Sequence, residues 1–172
     1  MGLVALVVLA LDQATKLLVL RFLGPTQERV VIPGFFRFVH WENSGAAWSL
    51  FHNRNSWLAV VSIAALVGLY CLRRHFYVHL PLGRFALGLI FGGVTGNLFD
   101  RLHYHQVIDF LRFYLTRHSG QEIGFPAFNI ADSAICTGVG LLILISWKYE
   151  PDADHDAPKC RETVQDGFRA DH

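Results

Sequence analysis

The sequence predicts an all-α polytopic membrane protein with four transmembrane helices and a small extracytoplasmic β-sheet. Hydrophobic residues make up 52% of the 172 and charged ones only 17%, against roughly 25% charged in soluble domains. Four long apolar stretches hold that excess, and an aromatic, β-branched run separates the first from the second. The rival is a soluble four-helix bundle. A soluble helix shows a polar face every three to four residues, and Val60-Val61-Ser62-Ile63-Ala64-Ala65-Leu66-Val67 shows almost none, which decides for the membrane.

The first stretch, Gly2 to Phe22, is interrupted by Asp12, Gln13 and Lys16. It has no basic leading segment, so it is expected to stay as a span and not to be removed as a signal peptide. Pro25 to Trp48 then reads as strand. Val30-Val31-Ile32 and Phe35 to Trp41 are β-branched and aromatic, with Pro33-Gly34 as the turn between them. Phe35, Phe36, Phe38, Trp41 and Trp48 suit a sheet at the headgroup level, where aromatic rings are favoured. The second stretch, Asn55 to Leu72, carries no charge and lies between Arg54 and Arg73-Arg74. The third, Phe85 to Phe99, is bounded by Arg84 and Asp100, and the fourth, Ser133 to Trp147, by Asp132 and Lys148. A helix crossing ~30 Å of hydrocarbon needs about 20 residues. The third and fourth therefore fit only if they draw their flanking acids toward the membrane.

One membrane domain over 1–149 is expected, its sheet at about 24–48, followed by a polar, disordered tail over 150–172. With four spans both termini share one side. Arg73, Arg74 and Arg84 in the short second-to-third link assign that side to the cytoplasm, so the two long loops, Leu23 to Arg54 and Arg101 to Ala131, face outward together. Cys71, Cys136 and Cys160 have no metal-ligand spacing and read as unpaired. A net charge of +1 without a basic run gives no reason to expect nucleic acid.

Ionisable residues in or beside a span are costly, by roughly 2.5–3.5 kcal/mol each on insertion scales, so they are functional candidates by default. Asp12 and Lys16 lie one turn apart on one helix face and can pair. Asn97, Asp100 and Arg101 close the third span, Asp109 follows in Val107-Ile108-Asp109-Phe110, and Asn129 and Asp132 open the fourth. Asn43 ends the strand-like loop on the same side. Asp12 with Lys16 is either an ion pair orienting the bundle or part of the chemistry. Asp100 beside Arg101 reads as a helix-end salt bridge. Asn129 suits a helix cap, with Asp132 favourable in the first turn. Gly92-Gly93 and Gly96 point to close helix packing on the third span, and Gly45-Ala46-Ala47 to a tight turn or room for a substrate backbone. Asp109, between Ile108 and Phe110, has no evident local structural task.

Two facing carboxylates can hold one proton between them, because like charges a few ångströms apart cannot both ionise readily. The ionised member takes a proton from water while the protonated one donates to a carbonyl oxygen, which suffices for peptide hydrolysis. Asp109 and Asp132 are the expected catalytic pair. His-Glu-x-x-His and Gly-x-Ser-x-Gly are both absent. His103 and His105 read as plain polar loop residues, so neither metal nor cofactor is expected.

Five blocks carry a resemblance: Asp12-Gln13-Ala14-Thr15-Lys16, Asn43-Ser44-Gly45-Ala46-Ala47, Gly92-Gly93-Val94-Thr95-Gly96-Asn97-Leu98-Phe99-Asp100-Arg101, Val107-Ile108-Asp109-Phe110 and Phe128-Asn129-Ile130-Ala131-Asp132. In this order they resemble the signature blocks of lipoprotein signal peptidase, or signal peptidase II, an aspartic endopeptidase family of bacterial plasma membranes. The resemblance implies four spans, a periplasmic β-cradle, and Asp109 and Asp132 as the catalytic aspartates. Asp12, Lys16, Asn43, Gly45, Asn97, Asp100, Arg101, Asn129 and Ala131 fall on positions that in the family shape the site or hold substrate or the antibiotic globomycin. Asp100 stays a second candidate for the pair. The implied substrate is a prolipoprotein carrying diacylglyceryl on its lipobox cysteine, cut on the amino side of that cysteine, with membrane lipids around it. The competing class is a small proton- or ion-coupled transporter, since intramembrane acids also build proton relays. Transporter sites tend to lie near the midplane of inverted repeats, whereas here the acids gather at one side and no repeat is visible.

Overall fold

The computed structural model of the protein describes residues 1–45, 55–117, 119 and 121–149. Ala46, Ala47, Trp48, Arg54 and the 150–172 tail with Cys160 lie outside them. Four long helices coincide with the apolar stretches: α1 (Gly2–Phe22), α2 (Asn55–Leu72), α3 (Pro81–His103) and α4 (Ile130–Lys148). Each is long and apolar enough to cross a membrane. Helix α3 starts four residues before Phe85 because Pro81 suits a first helical turn, where its missing N–H has no partner to lose. It also runs on through Asp100, and α4 contains Asp132. Both spans thus draw their flanking acids into the helix.

The bundle is built around α3. Ten of its residues are buried, whereas α2 buries only Ala59 and α1 only Val8, Asp12 and Lys16. Leu3, Leu6, Leu11, Leu17 and Val60 face outward. An apolar exterior around a partly polar interior is the inverse of a soluble bundle and suits lipid as solvent. Small residues let the helices approach closely. A Cβ on Gly93 would collide with the Ala131 carbonyl of α4, and one on Gly96 would come within 2.6 Å of Asp12 Oδ2 on α1.

The sheet is larger than the sequence suggests, and the all-α label is too narrow. Strands β1 (Glu28–Ile32) and β2 (Phe36–Asn43) occupy the expected segment, but β3 (Val107–Thr116) and β4 (Glu122–Gly124) come from the second long loop. They form one antiparallel order, β1-β2-β3-β4. The β2–β3 ladder pairs Trp41 with Asp109 and Asn43 with Val107, across an irregularity between Phe38 and Trp41. Two loops distant in sequence are thereby tied together beside the helix ends that carry the acids.

Candidate active site

Strand β3 delivers Asp109, and the start of α4 delivers Asp132. Between them stands Asn129, the N-cap of α4. Its side chain accepts from the Asp132 backbone N–H at 2.9 Å, while Asp132 Oδ2 accepts from the Asn129 backbone N–H at 3.3 Å, a reciprocal capping box. The same Asn129 side chain donates from Nδ2 to Asp109 Oδ1 at 2.8 Å. One residue therefore touches both carboxylates. Asn43 at the end of β2 donates to the other oxygen, Asp109 Oδ2, at 3.0 Å. Gly45 orients that amide, its N–H bonding Asn43 Oδ1 at 2.9 Å.

Asp109 is only 4% exposed. Burial, and then the nearby Asp132 charge, push its carboxyl up to about 7; the hydrogen bonds from Asn43 and Asn129 and the Lys16 charge oppose this. Asp109 can thus hold a proton near neutral pH.

A second polar cluster lies behind. Lys16 Nζ meets Asp12 Oδ2 at 2.8 Å and Asp100 Oδ2 at 2.6 Å, with all three side chains at most 1% exposed. Asp100 is therefore paired with Lys16 on α1, and the expected bridge to Arg101 is replaced by this one. The reason is geometric: successive helix positions do not face one another, and α1 presents a cation to the buried face of α3. Asp12 also accepts from the Ala131 N–H at 2.9 Å, satisfying a free donor in the first turn of α4. Asn97 joins the two clusters. Its Oδ1 accepts from Lys16 and Asn129 at 3.1 and 3.2 Å, and its Nδ2 donates to Asp132 Oδ1 at 2.7 Å.

A cavity of about 840 Å³ opens in front of the pair. Asp109, Asp132, Asn97 and Arg101 line its polar side, and Trp41, Phe125 and Phe128 part of its apolar side. Arg101 is held to backbone, donating to the Asn97 carbonyl at 3.3 Å and the Gly45 carbonyl at 3.4 Å. Asp12, Lys16, Asp100, Asn129 and Ala131 lie outside the lining; this separates Asp100 from the cavity and leaves Asp109 and Asp132 as its two aspartates. His103 stacks on Phe99 at 5.6 Å, and among the described residues no three His, Cys, Asp or Glu gather where a metal could sit.

Sequence reasoning passed over several contributors. Gln13 donates to Asp12 at 3.2 Å and Asp100 at 2.9 Å, and Asn55 donates to the Arg101 carbonyl at 2.9 Å. Arg112 lies over the Trp41 ring at 4.4 Å on the cavity wall. Gln13 interrupts the first apolar stretch beside Asp12, and its polarity there is a usable signal. The others depend on tertiary contacts.

The sequence profile of the family described as Signal peptidase (SPase) II matches residues 4–148. The chain belongs to the signal peptidase II family. Being a peptidase family, it decides against the transporter reading. Among its curated relatives, the lipoprotein signal peptidase of Syntrophotalea carbinolica is 39% identical over 149 residues, 85% of this chain and 89% of the relative. That of Anoxybacillus flavithermus is 31% identical over 170 residues, 99% of this chain and 94% of the relative. A solved bacterial membrane enzyme structure, obtained in meso at 2.3 Å, shares the fold with a TM-score of 0.76 and 29% identity, covering 89% of this chain and 90% of that one. Four span-length helices in a family of membrane enzymes make this a multi-pass membrane protein.

Proposed function

We propose that this chain is an aspartic endopeptidase that removes signal peptides from prolipoproteins, with Asp109 and Asp132 as the catalytic pair. The observation that carries the reading is Asn129, which bonds both carboxylates at the rear of an otherwise largely apolar cavity. The ionised carboxylate takes a proton from water as the water oxygen attacks the scissile carbonyl. The protonated one donates to the carbonyl oxygen, giving a neutral tetrahedral diol. The carboxyl that took the water proton then gives it to the departing amine while the other carboxylate takes a proton from a diol hydroxyl, which breaks the C–N bond, releases the acid and restores the starting pair. Asn97, Asn43 and Asn129 hold the carboxylates; Arg101 and Gly45 fix the wall that a substrate backbone meets. Asp12, Lys16, Asp100 and Ala131 support the site from behind.

The finer reading is that residues 1–149 form the peptidase unit in the bacterial inner membrane. The cavity faces the periplasm and both termini the cytoplasm. The substrate cysteine carries diacylglyceryl, which holds the scissile bond at the outer leaflet beside the pair; surrounding membrane lipids and globomycin-like inhibitors meet the same region. Each buried CH₂ is worth about 0.8 kcal/mol against water, so two acyl chains anchor that residue firmly. Correct placement alone can supply several kcal/mol of a barrier.

The test is cleavage in detergent by purified enzyme, with and without a chelator, of one precursor before and after diacylglyceryl transfer and in a lipobox Cys→Ser form. Fast cleavage of the lipidated form only, unaffected by chelator and abolished in Asp109→Asn and Asp132→Asn, is expected. Equal cleavage of all three substrates would remove the lipid from the reading, and turnover by either Asn variant would remove the pair.

A further inference from the structure

One guanidinium spans the whole sheet. Arg37 projects from β2 and is 8% exposed. It pairs with Glu28 on β1 at 2.6 Å and, through its other terminal nitrogen, with Glu122 on β4. To reach β4 it crosses β3, lying 4.0 Å from the centre of the Tyr114 ring; the Tyr114 hydroxyl in turn accepts from the Gly34 N–H of the β1–β2 turn at 3.2 Å. Arg112 on β3 adds a longer 3.4 Å bond to the second Glu28 oxygen. All four strands thus contribute to one charge cluster.

The strand at the far end needs such a tie. β4 has three residues, all exposed, and pairs with β3 from Tyr114 to Thr116, with one further bond from the Arg117 N–H to the Gln121 carbonyl at 2.9 Å. So short an edge strand, burying nothing, frays easily. It leads directly into Gly124-Phe125-Pro126-Ala127-Phe128, five consecutive residues on the cavity wall. That run is bonded to β3 at both ends, Phe125 N–H to the Phe113 carbonyl at 3.0 Å and Phe128 N–H to the Leu111 carbonyl at 3.0 Å, and then enters Asn129. The apolar wall opposite the acids is therefore placed by a strand that Arg37 holds from two strands away.

We infer that Arg37, acting through Glu122, is a positioning residue that fixes the 124–128 wall for substrate binding. It touches neither carboxylate of the pair, so its loss acts on binding and spares the chemical step. This rests on the peptidase reading for its kinetic arm only; a second arm reads the wall directly.

The experiment compares the intact enzyme with Arg37→Gln, Glu122→Gln and the double variant. Amide hydrogen exchange over 122–128 is expected to quicken in Arg37→Gln and Glu122→Gln while exchange in α3 and α4 stays unchanged. With lipidated precursor, KM rises about five-fold at near-constant kcat, the size expected for a partly exposed ion pair, and the double variant is no worse than Arg37→Gln alone. Added salt raises the KM of the parent enzyme toward that of the variants. Unchanged exchange over 122–128 overturns the inference whether or not the enzyme cleaves this substrate. So does a loss confined to kcat, or an additive double variant. A parent enzyme that cleaves nothing, with exchange altered as expected, overturns the peptidase reading and leaves the positioning of the wall standing.

Discussion

At Asp109 the sign of the pH response follows from burial. The unfolded chain ionises this residue near its ordinary 3.8 and the folded chain near about 7. Between those values the folded state holds the extra proton, so this residue's contribution to stability declines as pH rises through the window. Asp109→Asn removes that dependence. It should unfold at an equal or higher temperature than the parent at pH 8, while cleaving nothing. On the proposed mechanism the alkaline limb of kcat/KM should fall above about pH 7, where Asp109 loses its proton and can no longer serve as the general acid. Pre-steady-state or initial-rate profiles in detergent check the limb, and thermal unfolding at two pH values checks the linkage. A flat profile from pH 6 to 9 would deny the shared proton.

Lys16 carries the opposite lesson. Two carboxylates, Asp12 and Asp100, meet it at 2.8 and 2.6 Å with no water-exposed surface to speak of. Lys16→Met keeps the length and strands both acids, and breaking a buried pair in this way costs about 3–5 kcal/mol. The variant should accumulate poorly and melt early, whereas Glu28→Gln, at a half-exposed site, should change stability little.

Among the elements, the helix pair α3–α4 is set by backbone approach. Gly93 faces the Ala131 carbonyl and the Ile135 side chain, so Gly93→Val forces the helices apart by overpacking, at about 1–3 kcal/mol. Because Ala131 and Asp132 are neighbours in the first turn of α4, the shift also moves Asp132 away from Asn97. Activity should fall further than stability, a difference that unfolding and turnover measured on one preparation would show. The four helices were legible because their apolar runs are long, and their polar interruptions were legible because acids in a span are conspicuous. The partner of Asp100 was not, since Lys16 lies 84 residues away in sequence and only the α1–α3 packing brings it there. Strands β3 and β4 went unread for a different reason. Val107 to Thr116 is rich in β-branched and aromatic residues, yet Asp109 and Arg112 interrupt its apolar pattern. Those are the residues that turn toward the cavity, so the function obscured the strand.

On the scale of the whole molecule, two cysteines test which way the bundle faces. The proposed topology puts the α2–α3 link, with Arg73, Arg74 and Arg84, in the cytoplasm, as the usual basic bias of cytoplasmic loops favours. Cys136 lies one turn beyond Asp132 on α4, is exposed, and lines the cavity. Cys160 belongs to the tail, beyond the last span. With Cys71→Ser as background, an impermeant thiol reagent added to intact cells should reach Cys136 through the open cavity and miss Cys160. In inverted vesicles the preference should reverse. Labelling of Cys160 from outside, with Cys136 protected, would turn the bundle over. The acids would then face the cytoplasm, where a signal peptide already threaded through the membrane no longer presents its cleavage site.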